Sequence, residues 1–264
     1  MNLWKPFLLL HKTARTISPF LPLGNRLPLE DYDGNISYSP QSSSKVLDGQ
    51  MIAIAGRTGT GKTVFTKAFN TELLTMQPFM NMYILDSKKQ GDFTKRDGPI
   101  VLSYEPPAPL RGEGLTQIWQ PLEDDINQYS KYFLNILLVG KPAIVFIDES
   151  KNIAFNGKAP RGYELLTSQG RRPGIWVETL MQECARAPRQ AFSQSKHLIS
   201  FRVYNQYDSN IIKRYMRYYG SKQPVWTGKH SFLHLDVDDM AEAKLYEGYQ
   251  DFIQEFFHNK KKKW

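Results

Sequence analysis

Eight consecutive residues, Gly56-Arg57-Thr58-Gly59-Thr60-Gly61-Lys62-Thr63, follow directly on the apolar run Met51-Ile52-Ala53-Ile54-Ala55. Their types and spacing suit a nucleoside triphosphate. The glycines permit a turn tight enough for successive backbone N–H groups to point at phosphate oxygens. Lys62 can then reach the β- and γ-phosphates, and the Thr63 hydroxyl can ligate Mg2+. Beyond the loop, Val64, Phe65, Ala68 and Leu73 recur at helical spacing. That spacing predicts a helix whose N-terminal dipole favours the same triphosphate.

A second group complements the first. Ala143-Ile144-Val145-Phe146-Ile147 is an unbroken apolar run that ends in Asp148-Glu149. A strand buried on both faces reads this way and delivers two carboxylates at its C-terminal edge. Asp148 there can hold Mg2+ through water, while Glu149 polarises an attacking water and serves as general base. An acidic pair after a strand is, alone, an ordinary loop start. Joined to residues 56–63 it reads as the other half of a hydrolytic site.

These residues need a scaffold. From Met51 onward strand-like and helix-like segments alternate, which predicts an α/β fold with a mostly parallel sheet flanked by helices. Strands are expected at 51–55, 81–85, 100–103, 116–119, 143–147, 175–181 and 197–203. Helices are expected at 63–75, 123–139, 161–170, 188–195, 208–219 and 238–257. Asp208 or Ser209 can cap the fifth helix and Gly220 can end it. Ligands bind where parallel strands end, so Gly56, Asp86, Asp148 and Gln182 are expected on one rim. Residues 1–50 hold several prolines and a serine-rich stretch without sustained periodicity. They read as an arm docking on another subunit or as an irregular layer over a sheet edge. The expected division is an arm at 1–50, an ATPase core at 51–205 and a helical extension with a basic tail at 206–264.

Composition excludes other classes. With Cys184 as the one cysteine, neither an intramolecular disulfide nor a cysteine-ligated metal site is available, and a reducing compartment is expected. No apolar stretch approaches the ~18 residues of a membrane helix, so a soluble protein is expected. The run Phe7-Leu8-Leu9-Leu10 is short for a signal-peptide core. Thirty-four Lys and Arg against 26 Asp and Glu give a net charge of +8, which suits a polyanion such as nucleic acid or an anionic membrane surface. Part of that excess lies in the terminal run Lys260-Lys261-Lys262-Lys263, which reads as a solvated tail.

The segment after residue 160 narrows the function. Leu165-Leu166-Thr167-Ser168-Gln169-Gly170-Arg171-Arg172-Pro173-Gly174-Ile175 leads into a strand ending in Leu180-Met181-Gln182. Ala187-Pro188 and a second strand, His197-Leu198-Ile199-Ser200-Phe201-Arg202, follow. Together with the two Walker motifs at 56–63 and 143–149, this order resembles the FtsK–HerA superfamily of hexameric DNA-pumping ATPases over residues 45–205. The resemblance implies a P-loop NTPase core of the RecA/ASCE type that uses ATP and Mg2+. It implies that Gln182 is a sensor touching the γ-phosphate or the attacking water. It also implies that Arg171 is the finger reaching the active site of the adjacent subunit, where a fixed guanidinium stabilises developing charge. Arg172 and Arg186 compete for that role.

Cellular members carry additional barrel, membrane or DNA-orienting domains. A compact, basic motor core is most similar to the genome-packaging ATPases of tailless viruses with an internal membrane. That similarity implies double-stranded DNA as partner, a homo-oligomeric ring, a hexamer in the superfamily, and docking on a capsid or membrane-vertex protein. The place implied is the host cytoplasm, with association to the virion.

Two rim loops are candidates for DNA contact. One, at 86–96, holds Lys88, Lys89, Lys95 and Arg96; the other, at 151–161, holds Lys158. Loops leaving a nucleotide-sensing edge can move basic side chains along a phosphate backbone, without reading sequence and with steep salt dependence. A third basic run, Lys213-Arg214-Tyr215-Met216-Arg217-Tyr218-Tyr219, could stack on single strands, but its helical spacing favours packing of the tyrosines. The apolar-rich segment 239–257 reads as a lid over the core or a contact to a capsid or membrane partner. Alternatives are a conjugation or secretion DNA pump, a small-molecule P-loop kinase and a nucleotide-controlled scaffold. Glu149 and Gln182 argue against the kinase, and the complete set Lys62, Thr63, Asp148 and Glu149 argues against the scaffold.

Overall fold

The computed structural model describes residues 29–30, 36–37, 47–88, 92–155, 157–203, 205–217, 226–239 and 242–261. The chain divides into two units, Met1–Val46 and Leu47–Trp264. In the first unit, β1 (Leu29–Glu30) and β2 (Ile36–Ser37) pair antiparallel.

The second unit begins with β3 (Met51–Ala55), whose last residue opens into the glycine loop, and α1 (Lys62–Met76) follows that loop. Next come β4 (Asn81–Asp86), β5 (Ile100–Ser103), β6 (Thr116–Pro121) and α2 (Ile126–Val139). After α2 the chain forms β7 (Ala143–Asp148), a 3-10 turn at Ser150–Ile153, α3 (Arg161–Gln169) and β8 (Ile175–Met181). It continues through α4 (Arg189–Ser193), β9 (His197–Phe201), α5 (Gln206–Tyr215), β10 (Phe232–Asp236), β11 (Lys244–Tyr246) and α6 (Tyr249–Lys261).

Strands β3 to β11 form one sheet in the order β11-β10-β9-β3-β8-β7-β4-β6-β5. Every pair from β9 to β5 is parallel, while β10 and β11 add antiparallel to the edge at β9. Parallel pairing puts the ends of β3, β4, β7 and β8 on one rim, as the residue pattern predicts. It also places β8 between β3 and β7, an order that local sequence periodicity does not encode.

Each face of the sheet has its own cover. On one face, Tyr129, Tyr132, Phe133 and Ile136 of α2 and Tyr163 and Leu166 of α3 pack on Tyr83, Val145, Ile147 and Val177. Alternation along β8 turns Trp176 and Glu178 to the opposite face. There Phe65 and Phe69 of α1 meet Phe252, Phe256 and Phe257 of α6 with ring centroids 5.0 to 6.5 Å apart. Burying such aromatic side chains contributes about 1.5–3 kcal/mol each relative to exposure. The apolar side of α6 is therefore a lid over the core, the first of the two readings above: Phe252 is 1% exposed and Phe257 2%.

The end of the chain differs from the helical extension predicted. The helix expected at 238–257 is a 3-10 turn, the short strand β11 and then α6, and β10 precedes it. Pairing with β9 over five residues decides the state of β10, and that distant partner is invisible to local spacing. Helix α5 starts earlier than expected because Asn205, not Asp208 or Ser209, is the cap: its side chain accepts from the Asp208 N–H at 2.6 Å. Gly220 lies outside the described residues. Tyr215 stacks on Phe192 at 4.6 Å, so it packs as its helical spacing suggests, while Tyr218 and Tyr219 lie outside the described residues.

Candidate nucleotide site

The loop after β3 has the backbone that phosphate binding needs. Gly56, Gly59 and Gly61 have φ of 149°, 77° and 104°, conformations that side chains rarely adopt. At Gly56 a Cβ would stand 2.6 Å from the Phe201 Cβ, so the loop fits against β9 only without a side chain. Its start is fixed from both sides: Gly56 N–H donates to Met181 O, and Arg57 N–H to Arg202 O, each at 3.0 Å. Thr60 closes the turn by donating its hydroxyl to Arg57 O at 2.8 Å.

Lys62, the first residue of α1, folds back into this turn. Its ammonium donates to Gly56 O at 2.6 Å and to Arg57 O at 2.9 Å. Burial, and then the nearby Lys88 charge, lower its pKa to about 8, against the opposing pull of Glu149 and Asp148. A buried ammonium held only by loop carbonyls is well placed to exchange them for phosphate oxygens. Thr63 follows at the helix N-terminus, where no acidic side chain occupies the first turn.

Across the rim, β7 ends at Asp148, in register with Asp86 of β4. Asp86 accepts from Gln120 at 2.7 Å, whereas both Asp148 oxygens and both Glu149 oxygens are buried and accept no hydrogen bond among the described residues. Burial raises the Asp148 pKa to about 6, partly offset by Lys88. Glu149 has φ 65°, a left-handed backbone unusual for a side-chain-bearing residue and typical of strain kept at functional sites. Buried carboxylate oxygens that accept no hydrogen bond among the described residues are hard donors of the kind Mg2+ takes. The residues present therefore fit a metal-bound triphosphate.

Gln182 follows β8 and so lies between the two halves. Thr58 donates its hydroxyl to Gln182 Oε1 at 3.0 Å, which joins the strand end to the phosphate loop. Arg171 lies elsewhere. It precedes β8, its carbonyl accepts from Gly49 N–H ahead of β3, and its side chain is exposed at the opposite edge of the sheet. The seven residues of β8 separate the two edges by about 20 Å. Arg171 is thus remote from its own chain's loop. Arg172 is exposed beside it, while Arg186 stands on the nucleotide rim, paired with Glu183 at 3.3 Å.

Of the residues read as DNA contacts, Lys95, Arg96 and Lys158 are exposed and Lys89 lies outside the described residues. Lys88 departs from that reading. Its side chain is 12% exposed and turned inward, its ammonium 3.5 Å from Asp148 and 3.2 Å from Glu149. The attraction of two buried carboxylates outweighs solvation of one lysine, which composition alone does not reveal. One further contact carries no motif. His230 Nδ1 lies 3.2 Å from Thr60 O.

No protein-family model matches the chain, and no curated protein does. Solved structures are similar. The DNA-packaging ATPase B204 of Sulfolobus turreted icosahedral virus superposes with a TM-score of 0.59 at 14% identity, over 75% of this chain and 97% of that one. The genome-packaging NTPase B204 of Sulfolobus turreted icosahedral virus 2 gives 0.57 at 15% identity in complex with AMP. In complex with AMPPCP it gives 0.55 at 14%, each over 76% of this chain and 98% of that one. This chain, a mostly parallel α/β sheet with a glycine loop and a buried carboxylate pair on one rim, shares the fold of the viral genome-packaging ATPase B204.

Proposed function

We propose that this chain is an ATPase of the FtsK–HerA type that drives double-stranded DNA into a viral capsid, working as a ring with nucleotide held between subunits. The observation that carries the reading is the junction at the rim: β8, between β3 and β7, brings Gln182 to the glycine loop beside two buried carboxylates that accept no hydrogen bond among the described residues. Likeness of fold to B204 supports the packaging role.

The residues have distinct work. Backbone N–H groups of 56–63 cradle the phosphates, and Lys62 trades two carbonyls for β- and γ-phosphate oxygens. Mg2+, held by Thr63 and by Asp148 through water, supplies charge neutralisation on the phosphates when bound. Glu149 takes the proton of the attacking water, and Gln182 orients that water or the γ-phosphate. Contacts in a ring are heterologous, so the surface that completes a neighbour's site differs from the one that holds the chain's own nucleotide. Arg171, exposed at the far edge, suits that part; Arg186, paired with Glu183 on the chain's own nucleotide rim, suits it less. Lys95, Arg96 and Lys158 supply exposed charge for the DNA backbone.

Glu149→Gln tests the assignment. ATP binding is expected to persist and steady-state turnover to fall by at least ~100-fold, the usual contribution of a general base. Unchanged turnover would remove Glu149 as the base.

A further inference from the structure

Among the described residues of the first rim loop, Lys88 is the basic residue turned into the site. Its ammonium stands within 3.5 Å of a carboxylate oxygen on both Asp148 and Glu149. Among the described residues none donates a hydrogen bond to the four oxygens of that pair, and the two side chains are 1% and 2% exposed. Two adjacent buried anions with no hydrogen bonds require a counter-charge, and Lys88 supplies it. The same oxygens are the ones a metal-bound nucleotide and its attacking water need.

An ammonium at 3.2 to 3.5 Å from both carboxylates and a dication held at Asp148 through water repel at close range, in a buried setting where screening is weak. Each cation therefore weakens the hold of the other on the pair. Beyond Lys88 the loop is held independently: Phe93 packs edge-on against Phe146 at 5.2 Å, and Lys67 donates to Asp92 O at 2.6 Å. Lys88 can therefore swing without unseating the turn that presents Lys95 and Arg96.

We propose that Lys88 is an internal counter-ion to Asp148 and Glu149 that Mg2+-nucleotide displaces, so that loading the site turns this lysine outward to the rim. The inference rests on the nucleotide reading above. It makes the positive charge of the rim depend on the state of the site: the loaded chain presents Lys88 beside Lys95 and Arg96, and the unloaded chain does not.

Amine acylation of the full chain, mapped residue by residue by mass spectrometry, tests this directly. The additions are Mg2+ alone, ATPγS alone and both together, with ATPγS binding followed in parallel. Lys88 is expected to react slowly until both are present and then several-fold faster, while exposed Lys95 and Lys158 serve as internal references. Lys88→Met is expected to lower the Mg2+ concentration needed for half-maximal ATPγS binding by about tenfold, since a competing cation has been removed. If the variant does not fold, the wild-type map decides alone. Binding with unchanged Lys88 reactivity would overturn this inference and leave the nucleotide reading standing. Failure of the wild-type chain to bind ATPγS with Mg2+ would overturn both.

Discussion

Glu178 is a fully buried carboxyl on β8, and Asn70 of α1 donates to its Oε2 at 2.8 Å. Its other oxygen accepts no hydrogen bond among the described residues. Burial raises its pKa from 4.5 to about 8, with the Asn70 hydrogen bond pulling the other way. The folded chain therefore keeps a proton that the unfolded chain releases once pH passes 4.5. With more protons bound when folded, stability is complete below that value and falls as pH rises toward 8. One pKa unit corresponds to about 1.4 kcal/mol, so this group alone is expected to cost the wild type on the order of 2 kcal/mol between pH 5.5 and 7.5. Glu178→Gln retains a carbonyl for Asn70 and removes the titration. Reversible urea unfolding of both proteins at the two pH values isolates the effect, because every other titrating group is common to both. The stability of the variant relative to wild type should rise by about 2 kcal/mol across that interval. A relative stability that does not change with pH would refute the buried, proton-holding carboxyl.

Other perturbations address the site itself. Gly56→Ala forces a Cβ to 2.6 Å from Phe201 and strains a positive φ, so a loss of roughly 1–3 kcal/mol in urea unfolding and loss of ATP binding are expected together. Arg171→Ala should abolish hydrolysis, and mixing it with Glu149→Gln should restore part of it, because mixed interfaces pair an intact base with an intact finger. No restoration would place the finger elsewhere, with Arg172 and Arg186 next to be tried. Replacing both Lys95 and Arg96 with Ala should weaken duplex DNA binding regardless of sequence and reduce the slope of log affinity against log salt by roughly 2. An unchanged slope would take this loop off the DNA.

The candidate site was legible where its residues are contiguous. Gly56 to Thr63 and Asp148-Glu149 are read from neighbours in the chain, because a glycine loop after a strand and an acidic pair after a buried strand are local signals. Gln182 was legible from its place at the end of a strand, although the Thr58 hydroxyl that it accepts from is 124 residues away. What escaped depends on long-range encounters. His230 reaches Thr60 across 170 residues, and β10 becomes a strand only because β9 offers an open edge. Lys88 was visible as a cation on a rim loop, but whether it faces solvent or the carboxylates depends on the balance of desolvation against pairing, which residue type alone does not decide. Segment 239–257 left two readings open because the aromatic residues of an amphipathic helix read alike whether they cover a core or a partner; Phe252 and Phe257 cover the core.

The central claim is that ATP is hydrolysed between subunits and coupled to DNA. Steady-state ATP hydrolysis over a range of protein concentrations, with and without long duplex DNA and with the mass of the assembly measured in the same samples, tests it most directly. Activity that rises with ring formation and rises again with DNA is the result predicted. A monomer whose turnover is independent of concentration and DNA, and appears only with a small phosphate acceptor, would contradict it.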